Sequence, residues 1–231
     1  MQGHRAKHAK TKDEQIAAET DMQLLREHTT ALAKHGKFTA YIKIIHSAVA
    51  TNNVMVRRDT STAGMCPCCG KTAETLNHII SECSELSKER DQMISNIREA
   101  IETNLGKTKM DGVLIRAITK IWSEDTISHA AGRDEKKSAG TRRSRSDMEK
   151  VWGEVATEQQ KLWLQRITEG GARMLWDGRI HREFISGMRI FGATNGAAKR
   201  TAKSILEAIT TNKIKIVDER HKIKHLSLIH I

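Results

Sequence analysis

The four cysteines of this chain are its most constraining feature, because all of them lie within eighteen consecutive positions, 66 to 83. A disulfide framework for a chain of 231 residues would spread its cysteines to close long loops. One histidine, His78, lies inside the same segment and gives the spacing C-x2-C-x8-H-x4-C. Three thiols and an imidazole at such spacings are the ligands of a tetrahedral zinc ion in a structural site. The segment therefore predicts that zinc is the cofactor.

The expected metal ligands are four residues of this segment: Cys66, Cys69, His78 and Cys83. A C-x2-C turn brings two sulfurs close enough to share one ion. Gly70, which follows the second of these cysteines, permits a positive φ that would aim backbone amides at the thiolates. Cys68 lies inside the turn and competes with Cys66 for the first position, although the C-x2-C spacing favours Cys66.

The second ligand pair is expected on a short helix that begins at Thr72 or Ala73 and carries Glu74 in its first turn. Cys83 follows His78 by five residues, an angle too wide for one face of an ideal helix. We therefore expect the helix to end or tighten before Cys83, so that the chain curls round the ion.

The cysteines could have functions other than zinc binding, but the surrounding sequence favours these alternatives less. A redox dithiol of the thioredoxin type is expected in a βαβ setting, whereas the surrounding apolar periodicity is helical. A zinc hydrolase or deaminase leaves one coordination position for water and uses a glutamate as general base. Glu74 and Glu82 are present, but four protein ligands would close the site. An iron–sulfur site and unliganded thiols are the remaining alternatives.

The rest of the chain predicts a mostly α fold, in which helical units surround one small structural zinc-binding segment. Aromatic residues make up 3% and there is one proline, which disfavours a β-sandwich and other turn-rich architectures. Apolar residues recur at helical spacing in seven ranges: 11–35, 38–49, 86–101, 111–122, 151–163, 174–190 and 198–209. Two short segments, 54–56 and 213–217, fit extended structure instead. Core positions, rather than base-stacking ones, are expected for Trp152, Trp163 and Trp176.

A basic stretch divides the chain. We expect four parts: a helical unit over 1–130 that contains the zinc-binding segment 65–86, a basic linker over 131–147, a helical C-terminal unit over 148–211 and a tail over 212–231. Residues 226–231 resemble the translation product of a sequencing adaptor, and the predicted fold therefore excludes them.

The charge balance fits either an anionic partner or a helical protein whose lysines are simply solvated. Lys and Arg total 39 against 28 Asp and Glu, and the net charge of +11 favours contact with RNA or DNA phosphates. Eight basic residues are candidates for nucleic-acid binding: Arg57, Arg58, Lys71, Lys136, Lys137, Arg142, Arg143 and Arg145. A solvated loop is the alternative for the linker, since charge runs are often disordered. With no apolar run of membrane-spanning length and no secretory signal, we expect an intracellular protein, in nucleus or cytoplasm, without membrane contact.

The zinc-binding segment resembles the zinc-binding domain that follows the reverse transcriptase domain in non-LTR retrotransposons. The resemblance covers about positions 50 to 90 and rests on these residues: Thr51, Asn52, Asn53, Arg57, Cys66, Pro67, Cys68, Cys69, Gly70, Glu74, Thr75, His78 and Cys83. In that family the domain helps the polymerase to engage template RNA or target DNA. The resemblance also implies a set of zinc ligands, namely Cys66, Cys69, His78 and Cys83.

No segment of the chain resembles the catalytic Asp-Asp motif of the polymerase, so we expect a nucleic-acid-binding fragment of such a protein without enzyme activity. The alternative is a zinc-stabilised helical scaffold that binds protein partners through the tryptophan-containing C-terminal helices. The salt dependence of binding affinity distinguishes the two functions. Affinity for phosphates falls steeply as the salt concentration rises, whereas affinity through an apolar protein interface changes much less.

Overall fold

A computed structural model of the chain describes residues 20–46, 48–56, 64–105, 157–159, 162–163, 178–190 and 192–229. The α-helices within these ranges are α1 (Met22–Lys34), α2 (Phe38–Ile45), α3 (Asn52–Val56), α4 (Ser87–Leu105), α5 (Glu183–Ile190) and α6 (Asn195–Ile229). A π-helical turn over His78–Glu82 and a 3-10 turn over Ser84–Leu86 precede α4. β structure in the described part is limited to two isolated bridges, Thr20 with His181 and Met65 with Ala73. The mostly α class predicted from the sequence is confirmed, and none of the described helices is both long and apolar enough to span a membrane.

Two helix ends follow signals in the sequence. α1 ends at Lys34, and Gly36 then takes a left-handed φ of +69°, which glycine adopts without steric cost. The Lys37 amide donates to the Leu32 carbonyl at 2.8 Å and so satisfies one of the last carbonyls of the helix. α4 ends at Leu105, the residue before Gly106 in the sequence.

The two segments expected to be extended are helical. Residues 54–56 belong to α3, and Thr51 caps this helix by accepting a hydrogen bond from the Val54 amide at 3.3 Å. Residues 213–217 belong to α6, so the strand predicted there is wrong. Their alternation is one part of a longer stripe of buried residues with helical period: Ile209, Lys213, Ile216, Val217 and Arg220. Burial at intervals of three and four residues along a long helix outweighs the alternation of five residues.

The chain divides into two compact units. The first comprises Met1–His28 and Glu99–Leu206, and the second comprises Thr29–Arg98 and Glu207–Ile231. Several predicted features lie outside the described residues: the linker over 131–147, the helix over 111–122, Trp152 and Trp176. The four-part division of the sequence therefore stays a prediction.

The first unit buries Trp163 against α5. Its indole N–H donates to the Glu183 carbonyl at 3.1 Å, and its ring centroid lies 5.9 Å from that of Phe184. Trp163 is 6% exposed, which confirms the prediction of a core tryptophan at this position. Gly187 lies directly beneath the indole, since a Cβ at this position would be 1.6 Å from Nε1. The indole can approach the helix this closely because Gly187 has no side chain.

Replacement of Gly187 by alanine should lower stability, because the added methyl group would overlap the indole of Trp163. Overpacking costs about 1–3 kcal/mol, or more where the neighbour cannot move. Better helix propensity offsets about 1 kcal/mol of this cost, so we expect a net loss of about 2 kcal/mol in urea unfolding. Gly196→Ala is the matched control, since its Cβ would meet only the end of the Arg200 side chain, at 3.4 Å. Equal stability of the two variants would contradict the packing described here.

The second unit has a core to which α1, α2, α4, α6 and the zinc-binding segment contribute. Its buried apolar side chains include Leu32, Tyr41, Ile44, Val49, Ile79, Ile80, Leu86, Met93, Ile97, Ile209, Ile216 and Val217. Ile79 and Ile80 lie between two of the predicted metal ligands, and they are 0% and 1% exposed. Their burial therefore fixes the ligand-bearing segment in a close-packed interior.

Candidate metal centre

A short hairpin carries the first two predicted ligands. The Cys66 amide donates to the Thr72 carbonyl at 2.8 Å, and Met65 pairs with Ala73 in an antiparallel bridge. Between these paired positions, the Gly70 amide donates to the Cys66 carbonyl at 2.8 Å and closes the turn. Gly70 has a φ of +66°, the left-handed conformation that the sequence predicts. The turn brings the two cysteine sulfurs of the C-x2-C spacing close together.

The second pair of predicted ligands lies around a π-helical turn. The Cys83 amide donates to the His78 carbonyl at 2.8 Å, five residues back, which is the hydrogen bond of a π-helix. In an α-helix, residues five apart lie about 140° from each other around the axis, so their side chains diverge. The wider π turn reduces this angle. The helix ends at Glu82, before Cys83, so the predicted end is confirmed, whereas the tightening predicted as its alternative is wrong because the turn widens.

The helix that carries His78 starts later than predicted. Its first helical residue is Leu76, and Thr75 caps it by accepting a hydrogen bond from the His78 amide at 3.0 Å. The predicted start, three or four residues earlier, is wrong because that part of the chain belongs to the hairpin. Glu74 accordingly precedes the helix instead of lying in its first turn.

The four predicted ligands lie together in space. Each offers one donor atom, and these atoms are all within 4.8 Å of one another: Cys66, Cys69, His78 and Cys83. The Cys66 and Cys83 sulfurs are 3.8 Å apart, and the Cys69 sulfur is 3.4 Å from His78 Nε2. Zn–S and Zn–N bond lengths set the edges of a tetrahedral site at about 3.8 Å between sulfurs and about 3.5 Å between sulfur and nitrogen. The donor set and its spacing fit a tetrahedral zinc ion.

Burial and hydrogen bonding give the thiols of the cluster different proton affinities. Burial raises the pKa of Cys83 to about 12. Burial alone would also raise the pKa of Cys69, but the hydrogen bonds that its sulfur accepts from the Lys71 amide and the His78 ring lower it to about 6. The lowered pKa of Cys69 favours its thiolate, the form that binds a metal ion.

Cys68 lies outside this cluster of donor atoms, although it is adjacent to Cys69 in the chain. Its side chain is half-buried, and burial raises its pKa to about 12. The cluster contains Cys66 in the position for which the two cysteines compete.

A buried ion pair lies beside the hairpin. Glu74 is 0% exposed and Arg220 is 1% exposed. Arg220 Nε donates to one carboxylate oxygen at 2.6 Å, and Nη2 donates to the other oxygen and to the Ala50 carbonyl at 3.3 Å. The Asn52 amide, at the start of α3, donates to the same carboxylate. One carboxylate therefore joins the hairpin to α3 and to α6 through charge-assisted hydrogen bonds.

This pair was not predicted from the sequence. Arg220 is 146 residues from Glu74 along the chain, so no local spacing could have indicated the contact. Two weaker signals were present. Glu74 belongs to the residues that carry the family resemblance, and Arg220 falls on the buried stripe of α6, where a charge requires a partner.

One of the predicted nucleic-acid contacts lies within the described residues. Lys71 is exposed on the hairpin, between the exposed Gly70 and Thr72. The remaining candidates lie outside the described residues: Arg57, Arg58, Lys136, Lys137, Arg142, Arg143 and Arg145.

Residues 17–88 match the family model described as zinc-binding in reverse transcriptase. The match contains all four residues of the cluster of three cysteines and one histidine (the Cys3His cluster). It begins well before position 50, where the predicted resemblance starts, and therefore also includes α1, α2 and α3. It covers just under a third of the chain. Comparisons with curated proteins and with solved structures found no match. The predicted resemblance to the zinc-binding domain associated with reverse transcriptases is confirmed for this part of the chain.

Proposed function

We propose that this chain is a zinc-dependent nucleic-acid-binding fragment related to the C-terminal region of a retrotransposon reverse transcriptase, without a polymerase active site or enzyme activity of its own. The observation that carries the proposal is the Cys3His cluster inside a segment that matches the reverse-transcriptase zinc-binding family. Four protein ligands fill a tetrahedral coordination sphere and leave no position for water, so the role of zinc is structural.

Zinc would be held by two sulfurs of the hairpin and by the imidazole and sulfur that flank the π-helical turn. Both elements are short, and neither has enough hydrogen bonds or buried area to be stable alone. An ion with two ligands from each element fixes them to one another. The hairpin then presents its exposed face, including Lys71, in one conformation.

The proposed partner is the phosphate backbone of RNA or DNA. The net charge of +11 attracts polyanions, and Lys71 is an exposed cation on the element that zinc fixes. The alternative is a protein scaffold that binds its partners through the tryptophan-containing C-terminal helices. Trp163, which the structure describes, is buried against α5 and offers no exposed ring to such a partner.

The test is a titration of fluorescently labelled RNA and DNA with zinc-loaded protein at several salt concentrations. We expect affinity to fall steeply with salt, because protein cations release counterions from the phosphates. Lys71→Ala should weaken binding to all sequences similarly and reduce the salt slope by about 1. Lys88→Ala is the matched control, since it removes an exposed lysine from α4 and not from the hairpin, and its slope should equal that of the wild type.

Three outcomes would overturn the proposal in different ways. The absence of binding at low salt, or a flat salt response, would exclude phosphate contact and favour the protein-scaffold alternative. Equal losses in Lys71→Ala and Lys88→Ala would exclude the hairpin as the interface. Freshly purified, reduced protein without zinc would exclude the zinc dependence itself.

A further inference from the structure

The outer surface at the start of α6 carries three exposed cations, Lys199, Arg200 and Lys203. At 3.6 residues per turn they lie within an arc of about 100° around the helix axis. The opposite side of these turns is fully buried, at 0% exposure for each of four residues: Ala198, Thr201, Ala202 and Ile205. Burial of that side fixes the rotation of the helix, so the three cations share one outward surface, the α6 basic face.

The three cations of the α6 basic face have no ion-pair partner among the residues that the structure describes. The sequence contains no Asp or Glu over positions 184–206. Glu207 lies one turn beyond Lys203, but the two side chains form no ion pair. Farther along the same helix, by contrast, the exposed Lys222 pairs with Glu219 at 2.7 Å. The start of α6 therefore differs from its later turns in having cations that no described carboxylate offsets.

This arrangement of charges is unfavourable for the helix itself. Lys203 follows Lys199 by four residues and Arg200 by three, and like charges at these spacings destabilise a helix. The amino-terminal end of a helix also has a partial positive charge that favours carboxylates, whereas the first turn of α6 contains none. A bound anion would relieve both repulsions. An anionic partner thus explains a charge pattern that helix stability does not.

The side chain of Arg200 lies beside a residue that cannot cover it. Its Nη1 is 3.4 Å from the position that a Cβ of Gly196 would occupy, one turn earlier on the same surface. Because Gly196 has no side chain, it leaves this edge of the guanidinium open. A guanidinium presents a planar fork of N–H donors that matches two oxygens of one phosphate, and an ammonium adds a point charge.

We propose that the α6 basic face binds the phosphate backbone of RNA or DNA, as a contact surface in addition to the hairpin. The inference rests on the proposed function, which supplies the class of partner, and it extends the contact beyond residues 17–88, which match the zinc-binding family. Residues 195–207 include no aromatic side chain on which a base could stack. The contact is therefore to phosphates and is independent of base sequence.

The test is the salt dependence of binding, measured with the full-length, zinc-loaded chain on a labelled DNA duplex and a labelled single-stranded RNA. The variant replaces Lys199, Arg200 and Lys203 together by glutamine, whose helix propensity is similar to theirs. For each probe that the wild type binds, the slope of log affinity against log salt should shrink by about 3 for the duplex and about 2 for the single strand. A change of probe sequence should not alter this loss.

The matched control replaces three other exposed cations by glutamine and changes the net charge equally: Lys88, Arg98 and Lys215. Each of these has a carboxylate three or four residues later in its helix, namely Asp91, Glu102 and Asp218. This variant should retain most of the wild-type slope.

Two further measurements separate charge from folding. The double variant Lys199→Arg, Lys203→Arg keeps all three charges of the α6 basic face and should bind as the wild type does. Without nucleic acid, the triple glutamine variant of this face should unfold at a urea midpoint no lower than that of the wild type, because the repulsion between like charges is removed.

A wild-type slope in the triple variant of the α6 basic face would overturn this inference and leave the hairpin contact, which Lys71→Ala tests, intact. Equal losses in the two triple variants would attribute the effect to net charge and would also overturn it. Loss of polyglutamate binding with nucleic-acid binding retained would assign the face to an acidic protein, again overturning it. Failure of the wild type to bind either probe at low salt would overturn the proposed function, and this inference with it.

Discussion

Replacement of His78 by alanine should remove zinc from the protein and unfold the hairpin and the π-helical turn. Structural zinc contributes about 10–16 kcal/mol of apparent binding free energy in small zinc domains. This is as large as the whole net stability of a typical domain, about 5–15 kcal/mol. We expect native mass spectrometry to show zinc in the wild type and none in the variant. Amide exchange should become fast over residues 64–86, and a strong chelator should have the same effect on the wild type.

Two comparisons control for the loss of the side chain itself. His78→Cys supplies a thiolate in place of the imidazole and should keep zinc, because tetrahedral sites accept four cysteines as well as three and a histidine. Cys66→Ser should lose zinc, whereas Cys68→Ser should keep it, since Cys68 lies outside the cluster. Retention in Cys66→Ser together with loss in Cys68→Ser would reverse the assignment of the first ligand. Normal folding of His78→Ala without metal would show that the core alone maintains this segment.

The Cys3His cluster could be predicted from the sequence because a metal site requires a characteristic spacing of its ligands along the chain. A C-x2-C turn has few conformations that bring both sulfurs to one ion, and Gly70 marks the position where the turn needs a left-handed residue. The same logic applies to the end of α1, where Gly36 has a positive φ. These features depend on residues that are close together in the chain.

The features that were missed depend on other parts of the fold. Five residues separate His78 from Cys83, and a widened turn brings their side chains closer together than a tightened one, but the spacing alone does not indicate a π-helix, which is rare. Helical burial over many turns of α6 likewise overrode the alternation in 213–217. The hairpin is consequently held by two means, of which the sequence indicates only the metal ligands. The second is the ion pair between Glu74 and Arg220.

Glu74→Ala and Arg220→Ala should each lower the unfolding free energy by about 3–5 kcal/mol, because each leaves the opposite charge buried without its partner. Glu74→Ala also removes the acceptor of the Asn52 amide, and Arg220→Ala removes a donor to the Ala50 carbonyl. Urea unfolding in the presence of excess zinc measures the loss. Folded protein of either variant should still bind zinc, since all four ligands are unchanged.

The double variant Glu74→Gln, Arg220→Met tests whether the loss comes from an isolated buried charge. Glutamine keeps an acceptor for the Asn52 amide, and methionine fills much of the space of arginine without its charge. We expect this pair to be more stable than either single alanine variant, because uncharged side chains often replace a buried ion pair at little cost. Removal of the exposed Glu219–Lys222 pair on the same helix should leave the urea midpoint unchanged. If the single variants also unfold at the wild-type midpoint, the carboxylate of Glu74 does not hold the hairpin to α6.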